Sequence, residues 1–131
     1  MKVIIAGSRG ITSLDEVRRA LEASGFEVTE IVSGGAWGVD QLGEELAALR
    51  RLPVKRFIPA WNGYAGKRAG FVRNVQMGLY ADALVAIWDG SSRGTKHMID
   101  RMRENGKPVY IHTPPNSAVD LRRAMMPDPQ D

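Results

Sequence analysis

The chain has 131 residues, 44% of them hydrophobic and 25% charged, with a formal net charge of +3. That is the composition of one domain with a real core, and it argues against pervasive disorder, collagen-like repeats and low-complexity behaviour. There is no cysteine, and His97 and His112 are the only histidines, so disulfides, thiolate chemistry and a His-based zinc site are all set aside and no metal is expected.

In chain order, Lys2 to Ala6 reads as a first strand, followed by the loop Gly7-Ser8-Arg9-Gly10. Leu14, Val17 and Leu21 have helical spacing behind a Ser13/Glu16 capping box, with Gly25 placed to stop the helix. A second strand, Val28 to Val32, runs into Ser33-Gly34-Gly35-Ala36-Trp37-Gly38 and a helix marked by Val39, Leu42, Leu46 and Leu49. Val54 to Ile58 is a third strand, and after Pro59 to Gly66 a helix is marked by Phe71, Val75 and Leu79. Ala83 to Trp88 is a fourth strand, followed by Asp89-Gly90-Ser91-Ser92-Arg93-Gly94-Thr95, a helix carrying Met98, Ile99 and Met102, a stop at Gly106 and a fifth strand, Val109 to His112. Four of the seven prolines lie in residues 114–131, so this tail is expected to hold one short helix near Ala118 to Met125 and then lose order.

Nearly all-apolar strands alternating with amphipathic helices define an α/β domain over residues 1–113, with a parallel sheet covered on both faces. The expected architecture is a Rossmann-like three-layer sandwich of five strands in the order 3-2-1-4-5. The longest apolar runs fall far below the roughly 18 residues of a membrane-spanning helix. The chain enters its first strand directly after Met1-Lys2, which points to the cytoplasm and to no membrane partner. Basic residues are spread among acids, which suits a small anionic ligand better than a track of nucleic acid.

In such a sheet, ligands bind at the carboxyl ends of the strands, where three of the loops should meet. Half of the fourteen glycines fall in those loops, where helix N-termini offer N–H groups to anions. Ser8, Ser33, Ser91, Ser92 and Thr95 add hydroxyls, and Arg9 and Arg93 add guanidinium groups suited to phosphate or carboxylate. Gly7-x-x-Gly10 is not the dinucleotide fingerprint, and Ser33 stands where a dehydrogenase would carry its ribose-binding acid; no P-loop motif occurs. Asp40, in the first turn of its helix, either serves the helix dipole or faces the crevice as a sugar ligand or general base. Asp89 ends the fourth strand on the crevice side and is the second acid of interest, whereas Asp82, at the opposite end, reads as a turn residue. Arg68 and Arg73 lie roughly 140° apart on their helix, so only one can face a phosphate squarely, and Arg73 is the choice. Trp61 and Tyr64 could stack on a base or pack beneath their loop. Trp88 reads as core, His97 as an exposed helix residue, and Met98 and Met102 as helical core spacing.

Gly7-Ser8-Arg9, Ser33-Gly34-Gly35-Ala36-Trp37-Gly38-Val39-Asp40, Arg73-Asn74 and Trp88-Asp89-Gly90-x-Ser92-Arg93-Gly94-Thr95 together resemble the YspA-like branch of the SLOG superfamily, over residues 1 to about 113. The resemblance implies a Rossmann-like protein of bacterial or phage type that binds a nucleotide or a nucleotide-derived small molecule; no cofactor is expected, and the dimers of LOG relatives raise a homodimer as one option for its partner. The loop reading and this resemblance together give as candidate ligand set Gly7, Ser8, Arg9, Ser33, Gly34, Gly35, Gly38, Asp40, Arg73, Asn74, Asp89, Ser92, Arg93, Gly94 and Thr95, with Arg73, Asp89 and Asp40 as the candidate catalytic groups. The superfamily also contains the LOG phosphoribohydrolases, which release a base from a nucleoside monophosphate, and the DprA-like DNA-processing proteins; these are the alternative functions. LOG enzymes carry an Arg-Lys pair and a PGGxGTxxE motif. Here Arg73 and Gly94-Thr95 match, but Asn74 replaces the Lys, Met98 stands at the Glu position, and Asp100 lies about 200° further around the helix.

Overall fold

Successive residues of a strand point to opposite faces, so a strand apolar at every position must be buried on both sides. Val3 and Ile5 pack into one core while Ile4 and Ala6 pack into another. A computed structural model describes residues 1–35, 38–59 and 67–114. It gives strands β1 (Lys2–Gly7), β2 (Glu30–Ser33), β3 (Val54–Arg56), β4 (Ala83–Ile87) and β5 (Val109–His112). These alternate with helices α1 (Leu14–Ser24), α2 (Val39–Leu49), α3 (Lys67–Tyr80) and α4 (Arg93–Glu104). The sheet is parallel throughout, in the order β3-β2-β1-β4-β5, as the alternation of elements predicts. No helix of the described residues is long and apolar enough to cross a membrane.

Helices α1 and α2 close one face over Val3, Ile5, Ile31, Val85 and Ile87; α3 and α4 close the other over Ile4, Val32, Leu84 and Ala86. The stop signals act as read. Gly25 ends α1 with a left-handed φ of 73°. At the end of α4, Gly106 N–H donates to Arg103 O and Lys107 N–H to Met102 O, the paired bonds of a Schellman turn.

The expected capping box forms by half. Ser13 Oγ accepts from Glu16 N–H at 3.3 Å, but the Glu16 carboxylate reaches across to His112 Nε2 at 2.7 Å and ties α1 to the end of β5. Strands β2 and β3 are shorter than their apolar runs, because β3 pairs only from Ile31↔Val54 to Ser33↔Arg56 and lies exposed at the sheet edge. Phe57 and Trp88 fall just past strand ends, yet each still donates one backbone bond to the neighbouring strand.

Helix α3 forms where expected with a different face inward. Phe71 is 40% and Leu79 70% exposed, whereas Ala69, Asn74 and Met77 are buried. Its C-terminal end is held by the segment after α4: Lys107 Nζ donates to the carbonyls of Gly78 and Ala81 at 2.8 and 2.7 Å, and Asn105 Nδ2 to Gly78 O at 3.2 Å. At the amino ends of the strands, Asp82 accepts from Lys2 N–H at 2.8 Å, the turn role expected of it. The tail helix expected near Ala118 to Met125, together with Trp37, Trp61 and Tyr64, lies outside the described residues.

Candidate functional site

Chain direction across the sheet reverses between β1 and β4, since β2 and β3 extend to one side and β5 to the other. Two loops diverge there and leave a crevice. A cleft of about 210 Å³ opens at this point, lined by Ala6, Gly7, Arg9, Asp40, Arg73, Asn74, Met77, Ser92, Gly94, Thr95 and Met98.

Glycine at position 7 is a packing requirement. A Cβ there would collide with the Ile87 carbonyl and come within 2.7 Å of Val39 Cγ2, so only glycine lets β1 end against both β4 and α2. Gly34 is a second such point. A Cβ would sit 2.6 Å from Arg73 Nη1 and 3.0 Å from Asp40 Oδ2, so the backbone of the β2–α2 loop runs directly past a guanidinium and a carboxylate. Gly35 and Gly38 hold left-handed φ values of 72° and 86° on either side of the undescribed residues of that loop.

Arg73 comes inward from α3. Its Nη1 donates to Gly34 O at 2.5 Å and its Nε to Asn74 Oδ1 at 3.0 Å. Burial holds the guanidinium below its ordinary pKa, and the nearby Asp40 charge opposes that shift. The value stays far above neutrality for any arginine, so Arg73 is a fixed cation. Asp40 is only 7% exposed and sits in the first turn of α2, a position that favours a carboxylate. It thus occupies the position favoured by the helix dipole and also lines the crevice.

At the mouth, α4 begins after Ser92, and its first intrahelical N–H donor is Lys96, which bonds Ser92 O. The N–H groups of Arg93, Gly94 and Thr95 have no acceptor within the helix, the usual basis of an anion site at a helix start. A Cβ at Gly94 would meet nothing within 4 Å, so this backbone is open to a ligand. Ser92 Oγ and Thr95 Oγ1 lie 3.1 Å apart and share one hydrogen bond at the cleft wall.

Several loop residues singled out for ligand binding are engaged in holding the loops. Ser8 is buried, and its Oγ accepts from Asp89 N–H at 3.0 Å, tying the β1 loop to the β4 loop. Ser33 Oγ donates to Glu44 Oε2 at 2.7 Å and accepts from Gly35 N–H at 3.1 Å. Asp89 Oδ1 accepts from the N–H groups of both Ser91 and Ser92 at 2.8 Å, so the carboxylate turns back onto its own loop. Partial burial works to raise its pKa, but these N–H bonds and the Ser8 and Ser91 hydroxyls outweigh it, leaving the group below its usual range. Arg93 is exposed and does not line the cleft, unlike Arg9. Arg68 is also exposed.

His97, expected to be exposed, is partly buried: its ring lies 4.5 Å from the Phe71 ring, and Nδ1 is 3.0 Å from Asn74 Nδ2. Trp88 packs against the α3–α4 core and donates Nε1–H to Ser92 O at 3.1 Å. The cleft floor of Ala6, Met77 and Met98 was not anticipated as part of a site. Met77 follows Arg73 by one helical turn and Met98 follows Thr95 by three residues, spacings that share a face and could have signalled the floor.

Compared with known proteins, the chain matches no family model and no curated protein.

Proposed function

We propose that this chain binds a phosphorylated nucleotide or nucleotide-derived small molecule in the cleft between β1, β4 and the start of α4, as a YspA-like member of the SLOG superfamily. The observation that carries the reading is the convergence of Arg9, Arg73 and the open N-terminus of α4 on one cleft beside the buried carboxylate of Asp40. The cations and helix N–H groups suit a phosphate; the carboxylate suits sugar hydroxyls. At about 210 Å³ the cleft is smaller than the roughly 300–1,000 Å³ typical of sites that enclose a whole drug-sized ligand. A phosphorylated sugar matches it, with the base lying towards the outside.

Calorimetry with AMP, ribose 5-phosphate and adenosine tests this reading. AMP and ribose 5-phosphate are expected to bind, adenosine at least about ten-fold more weakly, and Arg73→Ala to cost AMP about ten-fold or more, the worth of a charge-assisted hydrogen bond. Equal affinity for adenosine and AMP would remove the phosphate from the reading.

A second reading, hydrolysis of the N-glycosidic bond as in LOG enzymes, is favoured by one observation: Asp40 places a carboxylate in the cleft within the field of Arg73. Met98, whose thioether can neither stabilise a cationic transition state nor position water, lines the same cleft. Binding without efficient turnover of ordinary nucleoside monophosphates is therefore the preferred form. Base released from AMP over many turnovers, and lost in Asp40→Asn, would reverse that preference.

A further inference from the structure

Asn74 is 6% exposed and makes three hydrogen bonds, and the identity of its partners fixes which way its amide points. Arg73 Nε can only donate, so the Asn74 atom 3.0 Å away is the carbonyl oxygen. Gly94 O can only accept, so the Asn74 atom 3.3 Å from it is the amide nitrogen. The same nitrogen lies 3.0 Å from His97 Nδ1, which must then be an unprotonated acceptor, with the ring proton on Nε2. Reversing the amide would set NH₂ against N–H at Arg73 and oxygen against oxygen at Gly94.

We infer that His97 is a positioning residue: through the Asn74 amide it sets the orientation of the Arg73 guanidinium in the cleft and so tunes affinity for a phosphorylated ligand. The first part stands on the hydrogen-bond geometry alone; the effect on affinity rests on the reading proposed above. His97 itself does not line the cleft, so it acts only through Asn74. The Phe71 ring, 4.5 Å away on α3, packs against the imidazole, and Asn74 joins α3 to the start of α4. One side chain thus couples the cation on one wall of the cleft to the helix start on the other.

The test has a part that needs no ligand. Long-range proton–nitrogen correlation spectra of the intact wild-type protein at neutral pH are expected to show His97 as the Nε2–H form; an Nδ1–H form overturns the inference. Exchange of the Arg73 Nε–H proton is expected to be slow in wild type and in His97→Asn, whose Oδ1 falls near the place of Nδ1, and fast in His97→Leu, which fills space without accepting. In AMP titrations, His97→Leu is expected to lose about five-fold in affinity, the worth of one net hydrogen bond, and His97→Asn to stay within about two-fold of wild type. Equal losses in both variants, or none in either, overturn it. If His97→Leu does not fold, the wild-type tautomer still decides. A wild-type chain that binds no AMP overturns the proposed ligand and the claim about affinity, and the tautomer and exchange data then decide the positioning role alone.

Discussion

The two faces of the sheet are built from different material. Beneath α1 and α2 lies an apolar cluster that includes Val17, Leu21, Ile31 and Leu46, with polar pairs only at its margins, where buried Ser33 meets Glu44 and Glu16 meets His112, and the ion pairs Arg18–Asp15, Arg18–Glu22 and Arg50–Glu22 stay at the surface. Beneath α3 and α4 the core has three buried methionines, Met77, Met98 and Met102, and at its cleft end it takes in Arg73, Asn74 and Thr95. The first face contributes most through burial of apolar area, while surface ion pairs add little. The second gives up apolar contact to hold polar groups, each of which must find a partner. Among the described residues no buried side-chain polar atom lacks one. One face secures the fold, and the other, with Asp40 reaching in from the start of α2, shapes the cleft.

That division can be broken most forcefully on the apolar side. Leu21→Ala is expected to reduce stability by about 2–5 kcal/mol in chemical denaturation, through lost burial and a cavity, while AMP affinity of the folded fraction stays unchanged. A matching loss of affinity would show that the two faces are not separable. A smaller effect is expected among the arginines. Arg9→Ala should weaken AMP binding by about ten-fold with little change in melting temperature, because Arg9 lines the cleft and is exposed. Arg93→Ala should do so by less, since that side chain lies off the cleft. Equal losses would move the anion towards the outer rim of α4.

The smallest effect is one of pH. Burial first, then the charge of Arg101, holds the His97 imidazole below its ordinary pKa, with Asp100 and Glu104 opposing. A group that is harder to protonate folded than unfolded stabilises the fold fully above its unfolded pKa. As pH falls below about 6.5 the unfolded chain takes up the proton first, and stability declines until the folded pKa is passed. Measured relative to the intrinsic exchange rate at each pH, amide protection should therefore fall in α4, which carries His97, before it falls in α1 over that interval. Uniform exchange across both helices would erase the distinction.

The sheet was legible because its signals are local and agree with one another: apolar runs of strand length, Gly25 and Gly106 at helix ends, and glycine-rich loops after the first, second and fourth strands. The position of the cleft followed from topology. What the sequence could not divide was the polar content of those loops. Ser8, Ser33 and Asp89 carry the same groups a ligand would need, and only the folded structure assigns Ser8 to the Asp89 N–H, Ser33 to Glu44 and the Asp89 carboxylate to its own loop. In α3 the apolar line Phe71, Val75, Leu79 marks a helix correctly but misleads about its inward face, because the side that meets the cleft is polar by necessity. His97 was misread for a related reason, as its partners Phe71 and Asn74 lie on another helix.

The exposed edge at β3 also bears on how copies of the chain could meet. A strand three residues long, entered through Pro53 and carrying Lys55 beside an Arg56 that is ion-paired with Glu44, offers an arriving backbone a short and charged ledge. Short length and edge cations are devices by which native sheets resist pairing with another chain. The opposite border, β5, is four residues long and follows Pro108. Extension of the sheet from one molecule into the next is thereby discouraged at the β3 margin.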